Sequence, residues 1–127
     1  MPAKDGDIFR LSTGKAHITV ECATTSQTRA RGLSFREYMP RAHGMLFIFD
    51  TIRTQEMWMK DMLFPLDIVW LDEYMRVVTV DRELMPCKGT ICHSYSSRAP
   101  IKYALELNAG DADRLGAVEG TVLKVID

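Results

Sequence analysis

Residues 44–71 read GMLFIFDTIRTQEMWMKDMLFPLDIVWL, and their patterning decides the class of fold. Met45, Leu46, Phe47, Ile48 and Phe49 form an unbroken apolar run opened by Gly44. A short run of this kind suits a central strand covered on both faces. From Gln55 the pattern alternates: Gln55, Met57 and Met59 share one side, and Glu56, Trp58 and Lys60 the other. Pro65 fits a loop or the first position of a strand. Leu66–Leu71 is a second apolar strand carrying one charge, Asp67. An ionised carboxylate among apolar residues needs a partner or hydrogen bonds.

The flanking sequence extends this β-rich reading. Segments 7–11 and 16–23, joined by Ser12-Thr13-Gly14-Lys15, read as a hairpin. Thr24 or Thr25 caps a helix expected over about 25–35, with Ala30, Leu33 and Phe35 toward the core. Gly32 inside that helix costs about 1 kcal/mol relative to Ala, which close packing on a strand would explain. Tyr38-Met39-Pro40 ends it. Segments 66–71 and 77–80 form a hairpin about Asp72–Met75. A long loop follows over 84–100, then a strand over 103–107. A short helix is expected over 111–115, with acids in its first turn and Gly116 at its end. A last strand covers 121–126. The expected fold is mostly β: a compact antiparallel barrel or strongly curved sheet of about seven short strands, with two short helices.

Composition bounds the function. The 127 residues are the size of one domain, expected over 1–127 with its core at about 7–126, and 46% are hydrophobic. The 16 basic and 17 acidic residues leave a formal net charge of −1, which gives no sign of a nucleic-acid partner. No apolar run approaches the roughly 20 residues needed for a membrane span. The N-terminus MPAKDGDIFRL lacks the apolar region of a signal peptide. The expected location is periplasmic or secreted if a leader has been removed, and cytoplasmic otherwise.

Several residue groups are candidates for chemistry. Lys60 precedes Asp67 across the Pro65 turn, so the two are expected to meet if 55–60 and 66–71 lie side by side. In the structural reading, Asp67 caps local backbone N–H groups and pairs with Lys60. In the functional reading, Trp58, Lys60 and Asp67 line a ligand pocket. A hydrolase would instead use Asp67 with Glu106, a second strand carboxylate in YALEL, if the two converge across a cleft. Arg29, Arg31, Arg36 and Arg41 cluster about the first helix. They form a solvated face, or Arg31 or Arg36 holds an anion in bidentate fashion. Phosphate-loop and serine-nucleophile motifs are absent.

The segments RARGLSFRE, HGMLFIFD, WMKDMLFPLDIVWLDE, PCKGTICHSY and YALELNAG together resemble a widespread prokaryotic family, domain of unknown function 192. The resemblance spans about 18–126. It implies a small β-rich domain, often found behind a signal peptide in bacterial members, and supplies no accepted catalytic residues. The chain departs from the family pattern at Ser34, where Met is usual, and at Asp61-Met62, where Asn-Thr is usual. It also carries Tyr74-Met75 at a hairpin turn that usually has Gly, a tip that either packs back or meets a partner.

Of three cysteines, Cys22 reads as a small buried hydrophobe on a strand face. Cys87 and Cys92 enclose Lys88–Ile91, and Gly89 makes a disulfide ring feasible. Free thiols, metal binding and redox chemistry are the alternatives. A metal site is not expected: His93 follows Cys92 directly, and neighbours in an extended chain point opposite ways. The eight methionines, with Met57 and Met59 on one face, read as core rather than as a copper site. No cofactor is expected.

The leading expectation is a non-catalytic binding domain for a small polar or anionic ligand or a protein partner. Its candidate ligand-binding residues are Trp58, Lys60, Asp67, Arg31 and Arg36. A hydrolase using Asp67 and Glu106, and an interaction module of the cell envelope using the Tyr74-Met75 tip, are the alternatives.

Overall fold

A computed structural model describes residues 2–126; Met1 and Asp127, at the ends of the expected domain, lie outside the described residues. The chain runs β1 (Ile8–Ser12), β2 (His17–Ala23), α1 (Ser26–Arg31), β3 (His43–Arg53), β4 (Glu56–Trp58), β5 (Leu66–Leu71), β6 (Val77–Leu84), β7 (Ser94–Ser96), β8 (Ile101–Asn108), α2 (Asp111–Leu115) and β9 (Lys124–Val125). Seven strands form one curled half-barrel sheet in the order β6-β5-β8-β3-β2-β1-β9. β4 and β7 form a separate antiparallel ribbon. The expected mostly β fold with two short helices is what forms.

One pairing differs from the antiparallel expectation: β2 and β3 lie parallel, with Val20 opposite Gly44. Parallel neighbours need a crossover, and α1 with the loop after it supplies one. Elsewhere the main sheet is antiparallel. The C-terminal segment draws its two edges together. β9 pairs with β1, while just upstream Gly120 N–H donates to Val77 O at 2.8 Å and Leu123 N–H to Met75 O at 2.9 Å.

Helix α1 is shorter than expected. Thr25 caps it, its hydroxyl accepting from Thr28 N–H, while the Thr28 hydroxyl receives Thr25 N–H. Gly32 ends the helix instead of sitting inside it, with φ +49°. A Cβ there would lie 3.3 Å from the Phe47 ring, so the expected close packing on a strand is present. Leu33 is buried, but Ala30 and Phe35 are exposed because the chain has already left the helix by Phe35, at φ +67°.

The sheet buries apolar side chains on both faces, which is why its central strands read as continuous hydrophobic runs. Leu46, Val69 and Leu105 pack on one face with Ala112 of α2 and Leu123. Phe47, Ile68, Trp70 and Ala104 pack on the other with Leu33, Met59 and Met62. Gly44 lets β3 approach β8: an added Cβ would stand 2.6 Å from Glu106 O. At the 72–75 turn, Met75 folds into the core and Tyr74 stays exposed, so the tip divides between packing back and facing solvent. No helix among the described residues is long and apolar enough to cross a membrane.

Candidate functional site

A cavity of about 210 Å³ opens on the second face of the sheet, between α1, β3 and β4. Phe47 and Phe49 of β3 and Met57 of β4 supply much of its apolar wall, with Leu33 and Met62. Trp58, Lys60, Arg29 and Arg31 add aromatic and cationic groups, and Glu106 of β8 lines it from the sheet. Three of the residues named from sequence, Trp58, Lys60 and Arg31, thus meet at one hollow. Asp67 and Arg36 do not.

The cations differ in how far they are engaged. Arg29 Nη1 donates to Thr24 O at 2.6 Å and Ile48 O at 3.0 Å, Nη2 reaches Asp50 at 3.3 Å, and the guanidinium stands 5.7 Å from the Phe49 ring centre. That network fastens α1 to β3 and leaves Arg29 little to offer a ligand. Lys60 Nζ lies 5.1 Å from the Trp58 ring centre, a cation–π contact on a half-exposed indole. Among the described residues neither Lys60 nor Arg31 forms an ion pair. Arg36 Nη2 is held by both carboxylate oxygens of Glu21, at 3.1 and 3.3 Å.

Glu106, named from sequence only as a candidate partner of Asp67, lines this cavity. It sits opposite Met45 and Ile68 in the ladders, on the Phe47 face, and is 3% exposed. No described residue donates a hydrogen bond to its carboxyl. Burial alone pushes its pKa up to about 8, because removal from water penalises the charged form. Its signal in the sequence was a single charge in the apolar alternation YALEL. That this charge faces a cavity is visible only in the tertiary fold.

Asp67 has a different office. It is fully buried on β5, and the β5–β6 ladder shifts register there: Leu66 faces Leu84 while Ile68 faces Asp81. Two residues of β6 therefore oppose Asp67, a β-bulge that leaves a backbone N–H without a ladder partner. Asp67 Oδ1 accepts that N–H, from Glu83, at 2.8 Å. Oδ2 accepts from Gly110 and Ala112 N–H, both at 2.9 Å, fixing the start of α2. The expectation that Asp67 caps backbone N–H groups holds, and the expected Lys60–Asp67 pair does not form. The reason is parity along β5: Asp67 points to the face of Val69 and Leu71, and the Lys60 cavity lies on the face of Ile68 and Trp70. The same parity removes the hydrolase pair. Asp67 and Glu106 project from opposite faces of one sheet and cannot flank a common cleft.

The rim and outer wall carry irregular backbone. Phe35 and Asp61 both have positive φ, +67° and +63°, and Phe35 N–H donates to Asp61 O at 2.9 Å. Cys87 and Cys92 form a disulfide, and Cys22 is a buried free thiol whose pKa rises to about 11 through burial and then the charges of Asp7, Asp5 and Glu21. The disulfide ring is tied to the cavity wall at both ends. Cys87 N–H donates to Met59 O at 3.1 Å, residues 60 and 87 form a bridge, and Ser94 pairs with Trp58. No grouping of three or more metal-ligating side chains occurs among the described residues.

Comparison with known proteins places the chain in a family without supplying an activity. No curated protein matches it. A solved structure from Sinorhizobium meliloti 1021, titled as a candidate transcription regulator, is 36% identical with a TM-score of 0.83, covering 93% of this chain and 92% of that one. A protein of unknown function from Novosphingobium aromaticivorans DSM 12444 is 27% identical with a TM-score of 0.84, covering 98% of this chain and 89% of that one. A family model described as "Uncharacterized ACR" matches residues 9–125. The chain therefore belongs to the domain of unknown function 192 family, DUF192.

Proposed function

We propose that the cavity beside Trp58 is a binding site for a small organic anion, and that the chain acts as a non-catalytic binding domain. The observation that carries this reading is the state of the lining charges. Arg29 is consumed by two carbonyls and Asp50, and Glu56 accepts from the Ser94 hydroxyl. Among the described residues Arg31 and Lys60 form no ion pair, on a hollow that Glu56 also lines and whose apolar wall is largely aromatic and methionine side chains. Apolar walls with a few convergent polar groups are the usual make-up of a small-molecule pocket. The volume fits a ligand about the size of one substituted aromatic ring.

Transcriptional regulation, the role in the Sinorhizobium protein's title, gains little support here. The net charge is −1, and α1 and α2 have 6 and 5 residues, short for a helix that reads a major groove. The test is a thermal-shift titration with para-isopropylbenzoate on wild type and on the Arg31→Ala/Lys60→Ala double variant. The anion should raise the wild-type Tm in a concentration-dependent way and leave the double variant unmoved. Equal shifts in both proteins would remove the site.

A further inference from the structure

The floor of this cavity identifies the class of ligand it takes, an inference that rests on the binding site proposed above. Glu106 lies at the back of the hollow with Met45 and Ile68 as its ladder neighbours, and it is 3% exposed. Buried polar groups are almost always hydrogen-bonded, and one that is not calls for an explanation. Glu106 lines a cavity large enough for a guest and has no donor among the described residues, so its carboxyl is open to a partner carried by a guest that displaces water.

The surrounding groups fix what that partner is. From α1 the cavity receives Arg29 and Arg31, and from β4 and the residues after it Glu56 and Lys60. β3 and β5 bring no titratable side chain next to Glu106, only Met45, Phe47 and Ile68. None of the cations lowers the carboxyl's pKa, which burial alone sets. Arg31 is exposed at the end of α1 and Lys60 is half-buried just after β4, whereas Glu106 is buried within β8, so the cations and the acid act at different places. At neutral pH Glu106 is a carboxylic acid with a proton to donate, and the unneutralised positive charge sits apart from it.

We infer that Glu106 is a specificity-determining hydrogen-bond donor, and that the ligand is a two-ended organic anion. Its anionic group meets Arg31 and Lys60. Its other end carries an uncharged acceptor, such as a carbonyl oxygen, that receives the Glu106 O–H. A ligand with an ammonium group at that end would behave oppositely, since it would require Glu106 to be ionised.

Three probes separate these cases by isothermal titration calorimetry: para-acetylbenzoate, para-isopropylbenzoate and para-(aminomethyl)benzoate. The acetyl compound should bind wild type at least about tenfold more tightly than its isopropyl analogue, the worth of one hydrogen bond to a buried group. Its affinity should fall about tenfold between pH 7 and pH 9 as Glu106 loses its proton. Glu106→Gln keeps a donor, so it should retain the acetyl preference and lose this pH dependence. Glu106→Leu should lose the preference itself. Equal binding of the acetyl and isopropyl compounds to wild type would overturn the inference. So would tightest binding by the aminomethyl compound with affinity rising toward pH 8. In the first case, weakening of both anions by Arg31→Ala/Lys60→Ala would leave the anion site standing while this inference falls. Failure of all three to bind would overturn both.

Discussion

Glu106→Gln should stabilise the protein more at pH 8 than at pH 5. The carboxyl is 3% exposed, no described residue donates to it, and its pKa is raised from 4.5 to about 8. In the unfolded chain the group ionises above about 4.5, while in the fold it keeps its proton up to about 8. Across that window the folded state binds one more proton than the unfolded state. Stability must then fall as pH rises and level off above pH 8. At about 1.36 kcal/mol per pH unit, ionising Glu106 in place costs at most about 5 kcal/mol, of which about 3–4 kcal/mol falls between pH 5 and pH 8. Water entering the open cavity solvates the ion in part, so roughly 2 kcal/mol is the working expectation. Urea unfolding of wild type and Glu106→Gln at both pH values reads this directly. Any pH-independent cost of the amide cancels in the comparison. A gap between the two proteins that is the same at both pH values, within about 0.5 kcal/mol, would refute the neutral-floor argument.

Four further outcomes are expected. Asp67→Ala should cost about 3–5 kcal/mol in urea unfolding, because three buried or part-buried backbone N–H groups lose their carboxylate acceptor; a cost under about 1 kcal/mol would mean that water replaces the carboxylate. Gly44→Ala should destabilise by about 1–3 kcal/mol, since the new methyl meets Glu106 O at 2.6 Å and that contact is backbone. Arg82→Met should lose on the order of 1 kcal/mol at neutral pH, because Arg82 is bound to Glu119 and Asp113 at the half-exposed surface. The Arg82 guanidinium holds the Glu119 carboxyl at about 2, so that loss should shrink as pH falls from about 4.5 toward 2. Thiol titration of denatured, unreduced protein should find Cys22 alone, and reduction of Cys87–Cys92 should lower stability by about 2 kcal/mol in the chain-entropy model.

Local patterning carried much of the fold. The hairpin ending in β2, the strand Leu66–Leu71 and the five residues of α2 were all legible because period, turn residues and caps agree there. The sequence predicts a longer α1 than forms because RARGLSFRE has good helix formers on both sides of Gly32. Only the Phe47 ring beneath that glycine, and the +49° φ it adopts, show that the helix must end. The parallel β2–β3 pair was hidden for a related reason, since the crossover carries a helix of only 6 residues. At the site, Trp58, Lys60 and Arg31 were picked out by residue type and converge on one cavity. Asp67 was picked out by the same rule and lies elsewhere. Whether a strand carboxylate faces a cavity or a bulge depends on ladder register, and one residue of register turns every side chain over.

The β4–β7 ribbon gives the cavity walls of unequal permanence. Phe47, Phe49 and Glu106 belong to strands hydrogen-bonded within the seven-stranded sheet. Trp58 belongs to a two-stranded ribbon of three paired residues on each strand, which is marginal by itself in water. Its persistence depends on Met57 and Tyr95 packing onto the core and on the disulfide ring that joins its anchor points. In hydrogen exchange, the amides of β4 and β7 should open as a unit well below the global unfolding free energy, while those of β3 and β8 exchange only near it. If the proposed site binds a guest, the floor would serve as a fixed template and the Trp58 wall would be the part whose opening governs exchange.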